Sequence, residues 1–135
     1  MQNAKSKLVQ WLTLESNLTK TSSKTMLLTA AILIYFAAQS IAWLQLNGQF
    51  VWPWMKEHPF LLSLLGVPIS YLLMLATNLA FQALQGQVWP GRLLAFAVGI
   101  VVFTVFTNVF LGEGFTAKTV VSLILTAIIM ALQLS

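Results

Sequence analysis

The sequence predicts an all-α integral membrane protein, a bundle of four transmembrane helices preceded by an amphipathic N-terminal arm. Hydrophobic residues make up 59% of the 135 residues and charged residues only 7%, which is too little charge to cover the surface of a soluble domain. The few charges after residue 25 separate apolar stretches of about 20–30 residues, and about 20 apolar residues cross the hydrocarbon core of a bilayer.

The arm comprises residues 1–24, and the membrane domain comprises residues 25–135. Four of the seven basic residues lie in the arm, namely Lys5, Lys7, Lys20 and Lys24. The arm also places Leu8, Trp11, Leu12 and Leu18 within one broad helical arc. We therefore expect a helix that lies on the bilayer with its lysines near anionic headgroups. The alternative is a loosely ordered arm that only sets the topology.

Four spans are predicted, at residues 26–46, 60–84, 92–111 and 116–134. Gly48, Gly86 and Gly112 follow the first three spans, where glycine commonly caps a helix C-terminus. Pro90 opens the third span, since a missing N–H costs little in the first turn. Thr116 is the predicted N-cap of the fourth span.

Two features of the first two spans allow alternatives. Pro68 lies inside the second span, where proline removes a backbone hydrogen bond and bends the axis. We expect a structural kink there, with a hinge as the alternative. The lysines before the first span and the small-residue site Ala38–Ser40 resemble a signal peptide, but the apolar run continues to Leu46, which favours a span.

The basic residues predict the orientation. With the N-terminus inside, five basic residues lie on the cytoplasmic side, Arg92 among them, and only Lys56 and Lys118 lie outside. The positive-inside rule then places both termini in the cytoplasm. We expect an integral protein of a bacterial-type inner membrane.

The polar residues within the spans are neutral. No Asp, Glu, His or Lys lies deep in a predicted span, so the usual carriers of proton coupling are missing. The candidate substrate-lining residues are Tyr35, Gln39, Tyr71, Asn78, Gln82, Thr104 and Asn108. Such side chains either line the path of a small solute or form hydrogen bonds between helices, and both interpretations remain open.

Small residues at four-residue spacing mark the expected helix contacts. The candidate helix-packing residues are Gly66 and Ser70 in the second span, Gly91, Ala95 and Gly99 in the third, and Ala127 and Ala131 in the fourth. The spacing is compatible with a partner helix from the same chain or from another chain.

Nothing in the sequence indicates an enzyme, a metal site or a cofactor. The chain has no Cys and a single His, His58, which excludes thiolate and Cys/His metal sites. Motifs of zinc proteases, serine hydrolases, P-loop proteins and dinucleotide-binding proteins do not occur. Most of the net charge of +4 comes from the arm, where four Lys and one Glu give +3, and this indicates a lipid bilayer rather than a nucleic acid as partner.

Several short motifs lie in residues 26–135. Trp89-Pro90-Gly91 and Val98-Gly99-Ile100 mark the third span, Gly112-Glu113 precedes the last, and Ala37–Ser40 lies in the first. With these motifs the chain resembles the small multidrug resistance family of the drug/metabolite transporter superfamily. The resemblance implies four helices, a homodimer and transport of a small solute. Gln39 stands where that family has its membrane Glu, and Ala127 where it has the Gly of its dimer contact.

Two functions follow from these observations. The first is a transporter-like carrier of a small solute that is not proton-coupled, because the amide of Gln39 does not titrate near physiological pH. The second is a non-catalytic structural or accessory subunit of a larger membrane complex. The expected partners are the lipid bilayer and either a second copy of the chain or other subunits.

Overall fold

The computed structural model describes residues 1–135, with the side chain of Leu134 excepted, and the described backbone is helical between its turns. The helices are α1 (Gln2–Val51), α2 (Pro53–Glu57), α3 (Pro59–Ser63), α4 (Gly66–Ala83), α5 (Val88–Leu111) and α6 (Ala117–Leu134). The predicted all-α class is confirmed.

Several of these helices are long and apolar enough to cross a membrane. They lie within Gln2–Val51, Pro59–Ala83 and Val88–Leu111. The last helix, α6, is apolar and shorter. The lengths agree with the predicted membrane class, because a crossing needs about 20 apolar residues.

Helix α1 joins the arm and the first predicted span without a break. Its 50 residues extend over about 75 Å at ~1.5 Å per residue. No Gly or Pro occurs between residues 2 and 47, so the usual causes of a sharp kink are missing over this stretch. Residues 1–26 are all exposed. The arm is therefore a helical extension of the span and packs on no other element.

The predicted C-cap at Gly48 is wrong. Helix α1 continues to Val51, and Trp52 is its C-cap. Gly48 lies buried in the last turn, and a Cβ atom added there would overlap the sulfur of Met55. The glycine is needed because α2 folds back onto the end of α1, and sequence alone does not reveal this approach.

The second span is interrupted before Pro68. Helix α3 ends at Ser63, and α4 begins at Gly66, so that Pro68 is the third residue of α4. Proline has no N–H to donate to the carbonyl four residues earlier, which belongs to Leu64. That carbonyl instead accepts the N–H of Val67 at 3.2 Å. This hydrogen bond spans three residues instead of the four of an α-helix, so the turn just before Pro68 is tighter than an α-helical turn.

The predicted C-terminus of α5 and N-terminus of α6 are confirmed, whereas α5 begins at Val88, before the predicted start at residue 92. Pro90 lies in the first turn of α5, and Gly112 caps its C-terminus in the left-handed conformation with φ 67°. The N–H of Gly112 donates to the carbonyl of Asn108 at 3.1 Å. The hydroxyl of Thr116 accepts the N–H of Thr119 at 3.2 Å, which caps α6.

The core lies where α1 packs against α4 and α5. Ala31 and Ala38 of α1 and Ala76 and Ala80 of α4 are fully buried. Small residues allow the two helix backbones to approach closely. Helix α6 packs only on α5 among the stronger contacts, and most of its described side chains are exposed.

The small-residue stripes have different environments. In α5 the stripe packs within the chain: a Cβ added at Gly91 would lie 3.5 Å from Ala80, and one at Gly99 would lie 3.1 Å from Gln39. Ala95 is buried between them. Gly66 is partly buried near the side chain of Gln45. The other small residues of the stripes are exposed, namely Ser70, Ala127 and Ala131.

Candidate functional site

A cavity of about 370 Å³ lies between α1, α4 and α5. Its polar lining residues are Tyr35, Gln39, Thr77 and Arg92. Its apolar lining residues are Leu73, Val88, Ala95 and Phe96. A concave site with mostly apolar walls and a few converging polar groups is typical of small-molecule sites.

Tyr35 and Thr77 meet at the cavity wall. Their hydroxyl oxygens lie 3.1 Å apart, and either can donate to the other. Tyr35 is 1% exposed, because its ring is enclosed between the alanine-rich faces of α1 and α4. When one hydroxyl donates within the pair, the other O–H remains available to donate to a ligand.

Gln39 lies one turn further along α1. Its Nε2 atom donates to the backbone carbonyl of Ala95 at 3.4 Å. Gln39 and Phe96 also border a second cavity of about 300 Å³, which continues along α5 past Gly99. The amide of Gln39 therefore stands between two adjoining cavities at the contact of α1 with α5.

Arg92 brings a positive charge to the cavity. It lies in the second turn of α5 and is exposed. The three acids of the chain are Glu15, Glu57 and Glu113. Glu113 lies 21 residues after Arg92 on or next to the same helix, which is about 30 Å at ~1.5 Å per residue. Glu15 lies a similar length of α1 before Tyr35.

The other predicted lining residues lie outside this cavity. Asn78 and Gln82 bond to each other at 3.2 Å on an exposed face of α4. Tyr71 is 68% exposed. Thr104 donates to the carbonyl of Ile100 within α5 at 2.8 Å. Asn108 donates to the carbonyl of Glu113 at 3.1 Å, in the turn after α5.

The structure thus brings together only Tyr35 and Gln39 of the predicted lining residues. The amides of Gln39, Asn78 and Asn108 lie at three separate places and do not line one common path. Periodicity gives the face of each helix but does not give the rotation of one helix relative to the next. Asn78 faces away from α1 because Ala76 and Ala80 occupy that contact.

Thr77 and Arg92 are the cavity residues that sequence reasoning missed. The charge pattern uses Arg92 only to predict the orientation of the chain in the membrane. A signal was present, because Val88, Arg92, Ala95 and Phe96 follow the spacing of one helical face. The contribution of Thr77 depends on the contact between α1 and α4, and its position in the sequence carries no such signal.

A second polar contact holds the other end of the bundle. The indole N–H of Trp43 donates to the hydroxyl of Thr107 at 3.1 Å, and Trp43 is 2% and Thr107 7% exposed. The ring of Trp43 packs on Phe106 and Phe110, with centroids 5.5 and 5.4 Å away. This cluster lies outside the cavity and joins α1 to α5.

Among the described residues, no group of three His, Cys, Asp or Glu side chains is placed to hold a metal ion. No protein-family model matches the chain, and neither a curated protein nor a solved structure is significantly similar to it.

Proposed function

We propose that the protein is a small integral membrane carrier of the drug/metabolite-transporter type. It moves a small solute through the cavity between α1, α4 and α5. The observation that carries this proposal is the cavity of about 370 Å³ with polar side chains from all three helices. Mostly apolar walls with a few converging polar groups are typical of small-molecule sites.

The proposed membrane arrangement has four spans with both termini in the cytoplasm of a bacterial-type cell. The spans are the apolar part of α1, the pair α3–α4, α5 and α6. Helix α6 has 18 residues and covers about 27 Å, close to the ~30 Å hydrocarbon core. The excess of basic residues in the arm supports this orientation.

Transport is proposed to be independent of protons. The cavity lining contains no Asp, Glu, His or Lys side chain, and the side chains of Gln39 and Thr77 do not titrate near physiological pH. This supports facilitated diffusion or another uncoupled mode.

The carrier is proposed to act as a homodimer. Ala127 and Ala131 are exposed on α6, and Ile124 and Ile128 beside them are 54% and 50% exposed. A second copy would cover this face, since small residues at four-residue spacing favour close helix contacts.

The proposal is tested by flux into phosphatidylcholine vesicles that contain the purified full chain. Three aromatic probes of similar size are suitable: benzenesulfonate, benzenesulfonamide and phenyltrimethylammonium. We expect protein-dependent, saturable uptake of at least one probe, and no change when a pH gradient is imposed at constant membrane potential. Tyr71→Phe changes an exposed tyrosine outside the cavity. It serves as the control and should leave this uptake unchanged. Uptake no faster than in protein-free vesicles for all three probes would contradict a carrier.

A structural or accessory subunit is the second candidate. The exposed arm supports it, because Leu8, Trp11 and Leu18 are 62%, 72% and 70% exposed and form an apolar face that packs on no other element. Crosslinking and blue-native electrophoresis in native membranes distinguish the two. A stable complex with other proteins, together with no flux, would favour the subunit.

A further inference from the structure

The cavity between α1, α4 and α5 has the charge and the hydrogen-bond donors of an anion site. We infer that it binds an oxyanion, such as a carboxylate, phosphate or sulfonate group, attached to a small apolar body. This inference rests on the proposed carrier function in one respect: it names the class of solute that the carrier would move.

The cavity lining carries a positive charge. Arg92 is its charged residue, and no carboxylate lines the cavity. Its charge is therefore not neutralised by a neighbouring carboxylate. An unneutralised guanidinium attracts anions and repels cations.

The cavity lining also supplies several hydrogen-bond donors. Arginine presents a planar fork of N–H groups that matches an oxyanion with two parallel hydrogen bonds. The Tyr35–Thr77 pair, which is closed by a 3.1 Å contact, retains one O–H for a ligand. Gln39 retains a second amide N–H beyond the one that points to Ala95. The polar part of the lining therefore offers several hydrogen-bond donors and contains no carboxylate that would accept from them.

Apolar side chains flank these donors. Leu73, Val88 and Phe96 form the apolar part of the cavity wall, and Val88 and Phe96 lie one turn before and one turn after Arg92 on α5. A bare inorganic ion would leave this wall in contact with water, whereas an apolar body would cover it. Burial of apolar surface contributes roughly 25 cal/mol per Å², so we expect an anion with an aliphatic or aromatic body to bind more tightly than phosphate alone.

An oxyanion at Arg92 has two possible sources. One is a soluble solute in the cavity, and the other is the headgroup of an anionic lipid, since Arg92 lies near the start of α5. Both have the same chemistry at the guanidinium. The experiment therefore needs separate arms for a soluble probe and for a lipid.

The test is equilibrium binding to the full chain in phosphatidylcholine nanodiscs. The probes are benzenesulfonate, neutral benzenesulfonamide and cationic phenyltrimethylammonium, which share an aromatic body and differ in charge. We expect benzenesulfonate to bind at least tenfold more tightly than the other two. Arg92→Gln should weaken its binding at least tenfold, and Arg92→Lys should weaken it less. Lys118→Gln removes the same charge at the other end of the bundle and should have no effect.

A second variant separates loss of the site from loss of the fold. Thr77→Val removes one hydroxyl from the wall and leaves the charge unchanged, so we expect severalfold weaker benzenesulfonate binding with an unchanged size-exclusion profile. Equal affinity for the three probes, or benzenesulfonate binding that survives Arg92→Gln, would overturn the inference.

The lipid arm repeats the measurement with phosphatidylglycerol in the nanodisc. Benzenesulfonate binding that phosphatidylglycerol does not displace supports a soluble oxyanion. Enrichment of phosphatidylglycerol around the protein that depends on Arg92, together with no benzenesulfonate binding, would overturn the inference of a soluble ligand. The oxyanion would then be the headgroup of a lipid. Benzenesulfonate binding without flux contradicts the carrier and leaves the anion site intact. Flux of phenyltrimethylammonium without benzenesulfonate binding would support the carrier and overturn the anion site.

Discussion

The side chain of Gln39 lies directly against Gly99, where a Cβ atom would stand 3.1 Å from two atoms of the glutamine amide. The contact joins α1 to α5 at the wall shared by the two cavities. It gives the small-residue stripe of α5 a partner within the same chain, so we expect substitutions there to affect folding before they affect association.

Gly99→Leu should destabilise the fold. The added side chain has no space beside Gln39, and overpacking costs about 1–3 kcal/mol. We expect a lower midpoint in thermal unfolding of the detergent-solubilised chain. Gly114→Ala is the matched control, because nothing lies within 4 Å of a Cβ added there. Combining Gly99→Leu with Gln39→Ala should restore part of the loss, and additive effects would exclude this contact as the cause.

Thr107→Val should weaken the joint between α1 and α5. It leaves the buried indole N–H of Trp43 without its acceptor at 3.1 Å. Hydrogen bonds between membrane helices average about 0.6 kcal/mol and reach about 1.7 kcal/mol. We expect a loss in this range when unfolding is titrated with sodium dodecyl sulfate. Thr107→Ser keeps the hydroxyl and should lose less, so an equal loss in both variants would assign the effect to packing.

Gln39→Glu should introduce pH-dependent uptake, which we do not expect of the natural chain. A carboxyl group there can take up and release a proton, whereas the amide cannot. A charged group near a helix centre costs about 2.5–3.5 kcal/mol on insertion, so we also expect a lower yield of folded protein. Vesicle uptake with and without a pH gradient measures the effect. Flux of the unmodified chain that follows the pH gradient would refute this role of Gln39.

The topology can be tested directly because the chain has no Cys. Asn3→Cys, Glu57→Cys and Phe115→Cys place one thiol in the arm, in α2 and in the turn before α6. We expect an impermeant maleimide to label positions 57 and 115 from outside whole cells and to leave position 3 unlabelled. Permeabilised cells control for reactivity, since position 3 should then react. Outside labelling of position 3 would reverse the orientation.

Deletion of residues 2–20 should leave the bundle stable. These residues are exposed, and substitutions at such sites usually change stability by less than about 0.5 kcal/mol. We expect the same unfolding midpoint and the same probe uptake as for the full chain. A loss of membrane-complex assembly with unchanged stability would instead favour the accessory subunit, because the arm would then act only through a partner.

Some features of this protein follow from the sequence alone because their causes are local. The all-α class follows from long apolar stretches that must satisfy their own backbone hydrogen bonds in lipid. The end of α5 at Gly112 and the start of α6 at Thr116 follow from the preferences of single residues for cap positions. These predictions needed no knowledge of which helix packs on which.

Other features depended on contacts between distant residues. Gly48 matched the pattern of a helix cap, yet the approach of Met55 determines its role. Tyr35 and Tyr71 are both candidate lining residues from the sequence, but the packing of α1 on α4 buries Tyr35 and leaves Tyr71 exposed. Arg92 lines the cavity because the side of α5 that carries Arg92 and Ala95 packs toward Gln39 of α1. Helical periodicity determines which residues share a face, whereas only the packed helices determine what that face meets.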